Sequence, residues 1–335
     1  MPWPFLTSIC LPRWDWLQVE VTSFCNASCV YCPHSVYQGH WASRHMSLAT
    51  FAQLLQSLGR TRLVHLQGWG EPLLNPDFFN MVAMAKQAGC QVGTTTNGML
   101  LDFENLVRLV GSGIDFVAFS LAGTDEKNDV FRRGTSLKRV LENIQTLRRV
   151  KEKMGASGPE IHIAYLVLRS GMADLARLPK VIQGFGVKQV VISTLDFVPQ
   201  RELEGETVKP DNTQEYEDFI AHLKEIAEMG RSYGLNVHHQ LKEGSERRLI
   251  CPENVQRALF VGADGSVSPC AFANLPVSQA IYVAKGAERP YLRLILGNLH
   301  ELPLSAIWRQ KAYANFRRSF FTGKLISLCQ SCLKM

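Results

Sequence analysis

The chain has 335 residues, 46% hydrophobic and 20% charged, with a formal net charge of +6. Such a composition builds a sizeable core and excludes wholesale disorder, and the length suggests about two domains. The charge is mild and the RRVKEK run at 148–153 reads as the solvated end of a helix, so nucleic acid is not expected as a partner. No stretch reaches the ~18 uninterrupted apolar residues of a membrane span. The opening MPWPFLTSICLPRWDW has no basic region followed by a long apolar run, so no signal peptide and a cytoplasmic location are expected. Nine cysteines in a reducing compartment point to metal or cluster ligation rather than disulfides.

Residues 1–15 read as an N-terminal extension. From Trp16 to about 200 the pattern alternates short β-rich runs with amphipathic helical ones. Strands are expected at 16–21, 62–67, 91–95, 115–121, 161–168 and 190–195, with helices between them such as 47–58 and 135–147. Ser47 and Thr135 are the expected N-caps of those two helices. This alternation implies parallel βαβ units and an α/β class, either an open barrel or a doubly wound sheet. Residues 201–239 form a linking region with one helical stretch, and 240–335 a small C-terminal domain in which Asp264-Gly265 marks a β-hairpin.

The segment FCNASCVYC places Cys25, Cys29 and Cys32 in the spacing C-x3-C-x2-C, directly after the first expected strand. A four-iron cluster held by three thiolates keeps one iron open, although catalytic zinc sites also use three protein ligands. Cys251, Cys270, Cys329 and Cys332 form a second set, suited to a structural zinc or to a fully ligated cluster. Cys10 and Cys90 have no partner in any motif and read as structural. In parallel α/β folds ligands collect at the carboxyl ends of strands. Here the cysteine loop, Gly68-Trp69-Gly70-Glu71-Pro72, Thr96-Asn97-Gly98 and Ser120 stand at four consecutive strand ends.

These residues resemble those of radical S-adenosylmethionine enzymes, whose cluster loop is matched by Cys25, Cys29, Tyr31 and Cys32. The resemblance implies a partial (βα)6 TIM-like barrel over 16–200. It also implies a [4Fe–4S] cluster whose open iron chelates S-adenosylmethionine, and reductive cleavage to a 5′-deoxyadenosyl radical that abstracts hydrogen. Gly68, Trp69, Gly70, Glu71 and Pro72 are similar to the Gly-Gly-Glu-Pro motif that holds the methionyl amino group. Trp69 departs from the first glycine, where a bulky side chain meets a close backbone approach. Asn97, Ser120 and Leu195, the last beside the adenine, resemble further cosubstrate contacts, and Tyr31 would pack near it. Within Asn128–Gly134, Arg133 resembles the partner of the cosubstrate carboxylate.

The tail, Cys251-x13-Gly265-x4-Cys270 followed by Cys329 and Cys332, resembles the SPASM extension in its shortened twitch form. That resemblance implies one auxiliary iron–sulfur cluster, [4Fe–4S] in type, which assists electron transfer. A flavodoxin or ferredoxin would be the electron donor. Because Cys25 leaves no room for a preceding peptide-recognition domain, net oxidation of a small alcohol or sugar-like molecule leads the expectations. Maturation of a peptide or protein is the alternative, and a non-catalytic metal-binding interaction protein the bland one. His34, His40 and His45 follow the cluster loop without distinguishing themselves as a catalytic base, and His65 reads as a core residue.

Overall fold

The computed structural model describes residues 12–208, 213–239, 241 and 251–334; Cys10 and residues 1–11 of the expected extension lie outside the described residues. Seven strands follow one another in parallel: β1 (Trp14–Val19), β2 (Thr61–Leu66), β3 (Gln91–Thr96), β4 (Phe116–Leu121), β5 (Glu160–Val167), β6 (Val187–Thr194) and β7 (Asn236–His239). The first six match the expected strands to within a few residues. β7 escaped the sequence reading because NVHH is short and without apolar alternation. VVIS in β6 reads as an apolar run, but burial along it alternates, with Val190 and Ile192 buried and Val191 and Ser193 half-buried.

Three strands of the C-terminal region join the barrel's sheet. β8 (Ala258–Val261) pairs in parallel with the free edge of β1, β9 (Ser266–Ser268) returns antiparallel, and β12 (Gly297–Asn298) pairs with β9, giving ten strands in the order 12-9-8-1-2-3-4-5-6-7. An uncovered edge of β1 would expose a row of unpaired backbone groups, and β8 satisfies them. Between β9 and β12 a separate ribbon is made by β10 (Ile281–Ala284) and β11 (Ala287–Pro290). The hairpin expected at Asp264-Gly265 is the β8–β9 turn, with Gly265 at φ +76°.

Two helix starts distinguish local signals. Ser47 caps Leu48–Ala52, accepting from the Thr50 N–H, but the expected 47–58 helix is broken into that piece and Leu55–Leu58. The helix Leu137–Met154 is capped by Ser136, not Thr135, because the Thr135 hydroxyl donates backward to the Arg132 carbonyl. One apolar core runs through barrel and tail, from Leu17 and Phe119 to Tyr313. Trp14 of β1 meets Trp308 edge-on at 6.0 Å. Among the described residues no helix is long and apolar enough to cross a membrane.

Leu17 is fully buried in β1, the strand shared by both halves. Leu17→Ala is expected to cost about 2–5 kcal/mol in chemical denaturation, with barrel and tail signals lost in one transition.

Candidate active site

The loops after β1 to β4 interlock through their backbones. Gly70 is where the chain must pass closest: a Cβ there would lie 2.4 Å from the carbonyl oxygens of both Thr22 and Phe24. The next N–H, that of Glu71, donates to the Phe24 carbonyl at 2.8 Å. On the far side of the cysteine loop, the Ser28 N–H donates to the Arg133 carbonyl at 2.7 Å and the Val30 N–H to that of Phe131 at 2.9 Å. Asn97 Nδ2 donates to Asn26 Oδ1 at 2.7 Å. Cys25, Cys29 and Cys32 are thereby held on a loop fixed from three neighbouring strand ends.

Glu71 is 2% exposed and its carboxylate is committed internally. It accepts from Thr96 Oγ1 at 2.7 Å, the Asn97 N–H at 2.7 Å and the Leu73 N–H at 3.3 Å. The expectation that this carboxylate holds the cosubstrate therefore changes in emphasis: Glu71 braces the ends of β2 and β3 against each other. Asn97 likewise spends its amide on Asn26 and on the Met99 N–H.

Arg132, not Arg133, is the guanidinium turned into the site. Arg132 is 7% exposed and donates from Nη1 to the Tyr31 hydroxyl at 2.6 Å, whereas Arg133 is exposed. Consecutive residues at the end of the short helix Lys127–Phe131 point in different directions, and the neighbouring Gly134, at φ +84°, presses on the backbone of Asn26 and Ala27. Arg132 Nε is buried without a hydrogen-bond partner, a donor left over beside the thiols. Ser120 is half-buried near the end of β4. Leu195 is buried after β6 in an apolar cluster that Tyr31 packs against.

Trp69 resolves the departure from glycine. Its neighbour Gly70 makes the close approach, while the indole turns toward the tail: Nε1 donates to the Ala271 carbonyl at 3.3 Å, and the ring meets Phe272 at 5.8 Å and Trp41 at 6.3 Å. Its backbone N–H donates to Glu20 Oε1 at 2.9 Å, and Glu20 Oε2 accepts from the Ala263 N–H at 3.2 Å. Glu20 thus staples the ends of β1, β2 and β8. Gly68 must lack a side chain because a Cβ would fall 2.3 Å from Glu20 Cγ. The sequence signal for Glu20 was a lone acid inside the expected strand WLQVEV.

Beyond Trp69 lies a cavity lined by Cys251, Cys270, Cys329 and Cys332, the two pairs brought together across 58 intervening residues. Asp196, Glu253 and Lys334 line it too, and sequence reasoning passed over all three. Burial pushes the thiols up, Cys25 to about 11, and Cys32, Cys329 and Cys332 to about 12, with neighbouring thiols adding to the rise. Thiolates at such positions require a positive partner, and soft sulfur donors with a leftover guanidinium N–H fit iron–sulfur ligation. Of the remaining candidates, His34 is buried edge-on to Trp41 at 5.2 Å, His40 is exposed, and His65 shares a 3.1 Å hydrogen bond with Thr95, burial lowering its pKa to about 4. Cys90 is buried, its thiol donating to the Leu58 carbonyl.

A parallel barrel with three thiols over its mouth and four more in a flanking cavity is the architecture of an iron–sulfur enzyme that works by radical chemistry. Residues 19–157 match the model of the Radical SAM superfamily and residues 251–333 that of an iron–sulfur cluster-binding domain, SPASM; the chain is a radical SAM enzyme with a SPASM domain. It is 28% identical over 324 residues to the tungsten-containing aldehyde ferredoxin oxidoreductase cofactor-modifying protein of Pyrococcus furiosus, covering 95% of this chain and 86% of that one. It is 24% identical to the PqqA peptide cyclase of Gluconobacter oxydans, covering 94% and 82%. In fold it is similar to SuiB of Streptococcus suis bound to S-adenosylmethionine, with a TM-score of 0.67 at 16% identity, covering 96% of this chain and 72% of that one.

Two outcomes follow from the buried carboxylates. Burial raises Glu20 from 4.5 to about 7, so folding takes up a proton between those values. The linked stability, on the order of 3 kcal/mol, is complete below pH about 4.5 and lost above about 7. Denaturation of the apoprotein from pH 5 to 8 should show that decline, and Glu20→Gln should flatten it. Glu71→Gln leaves one buried N–H facing an amide NH2, and is expected to destabilise the apoprotein by about 1–3 kcal/mol even without cosubstrate, as read by thermal denaturation.

Proposed function

We propose that this radical SAM enzyme is a maturase, acting on a peptide or on a protein or cofactor precursor. The observation that carries the reading is the alignment, over nearly the whole chain, with relatives named as a cofactor-modifying protein and a peptide cyclase. It reverses the order of the sequence expectations, in which a small alcohol or sugar-like substrate led. The non-catalytic reading is set aside, because the chain is an enzyme of this superfamily.

Cys25, Cys29 and Cys32 would hold a [4Fe–4S] cluster together with S-adenosylmethionine, and Cys251, Cys270, Cys329 and Cys332 an auxiliary cluster. The chemistry supplied by these groups when bound is reductive cleavage of S-adenosylmethionine, hydrogen abstraction from substrate and transfer of the resulting electron, with a flavodoxin or ferredoxin as donor.

The protein's own part is positioning. Glu71, through Thr96 and Asn97, fixes the loops that face the cosubstrate. Arg132 holds Tyr31 and offers its unused Nε to a cosubstrate oxygen. Leu195 supplies an apolar wall and Ser120 a hydroxyl at the mouth of the barrel, with Gly68 and Pro72 shaping the turn between. Trp69 ties the loop after β2 to Ala271 and Phe272, next to Cys270.

Replacing Cys25, Cys29 or Cys32 by Ala is expected to abolish formation of 5′-deoxyadenosine from S-adenosylmethionine under anaerobic reducing conditions. Replacing Cys270 or Cys329 is expected to spare that cleavage and to impair substrate conversion, followed by mass spectrometry of candidate peptide and cofactor-precursor substrates. Turnover of small alcohols alone, with peptides and precursors untouched, would overturn the maturase reading.

A further inference from the structure

The cavity of the four tail cysteines contains a group of charges that ligation does not explain. Lys334 Nζ lies 3.5 Å from Asp196 Oδ2 and in shorter contact with Glu253 Oε1, and it stands 5.1 Å from the centre of the Phe272 ring. The side chains of Lys334, Asp196 and Glu253 are only 13, 11 and 22% exposed. Burying three charges is costly, and apolar side chains would close the same space at least as well. Asp196 comes from the end of β6, where Thr194 Oγ1 donates to it at 2.8 Å, whereas Glu253 and Lys334 come from the tail. Each also bears on a thiol. Glu253 is the foremost charge acting on Cys270, and Asp196 and Lys334 act on Cys332 with opposite signs.

We propose that Lys334 sets the reduction potential of the iron–sulfur group in this cavity, with Glu253 as its counterweight. The inference rests on the reading that the four tail cysteines hold such a group. One-electron reduction adds a negative charge within a water-poor cavity. A cation there favours the reduced form; a carboxylate opposes it. Lys334 and Glu253 largely cancel, so removing either uncovers the other.

The test uses the anaerobically reconstituted Cys25/Cys29/Cys32→Ala protein, which keeps the tail site alone, titrated with dithionite and followed by electron paramagnetic resonance. Iron content is measured on every sample. Lys334→Met should move the midpoint to more negative potential and Glu253→Gln to more positive, with the double variant returning toward the parent and Lys334→Arg staying near it. A residue that merely clamps the tail would not produce shifts of opposite sign. Equal midpoints in variants that retain their iron would overturn this inference and leave the cluster reading standing. A parent without iron would overturn the cluster reading and the inference with it. Should Lys334→Met lose its iron, the sign of the Glu253→Gln shift decides.

Discussion

β1 has a parallel neighbour on each side, and the rest of the molecule depends on that. Strand β2 satisfies the backbone groups of one edge and strand β8, from the C-terminal region, those of the other. The tail folds back onto the barrel's first strand and covers an edge that would otherwise leave a row of unpaired backbone groups. In consequence the three-thiol loop leaves the end of β1, and the four-thiol cavity sits beside the strand next to it. The two sulfur sites are placed relative to each other by a backbone ladder, not by a flexible linker.

Side chains lock what the ladder aligns. Glu20 reaches from the end of β1 to the loops after β2 and β8, and Trp69 extends from the β2 loop to Ala271, the residue after Cys270. Glu71 joins the β2 loop to the end of β3, and Arg132 joins the region after β4 to Tyr31. Each of these polar groups is withdrawn from water and would be a liability alone. Together their donors and acceptors are matched, which fixes geometry more tightly than apolar packing would. Arg132 Nε is the exception, and an unmatched donor beside the thiols is where a bound oxygen has most to gain.

Much of this was legible in the residues. The six strands of the barrel announce themselves through apolar runs, and the three cysteines through a spacing with no bland use at a strand end. Less legible were features whose cause is non-local. Thr135 and Ser136 are equally good caps by type, and only the backward bond from Thr135 to Arg132 decides between them. Arg132 and Arg133 are chemically identical, and the end of a short helix determines which one faces inward. β7 carries a single apolar residue in NVHH and, among the described residues, pairs with β6 alone.

The sequence by itself determined the α/β class, the order of the strands and the spacing of the cysteines in two sets, because periodicity and spacing are local properties that survive without a fold. Only the tertiary structure decided that the tail's strands β8, β9 and β12 belong to the barrel's sheet, that Trp69 reaches Ala271 beside Cys270 and that Lys334 meets Asp196 and Glu253. Those facts depend on which unpaired edge, unfilled volume and uncompensated charge remain once the strands are in place. Such remainders are properties of the packed whole, and no window of the chain contains them.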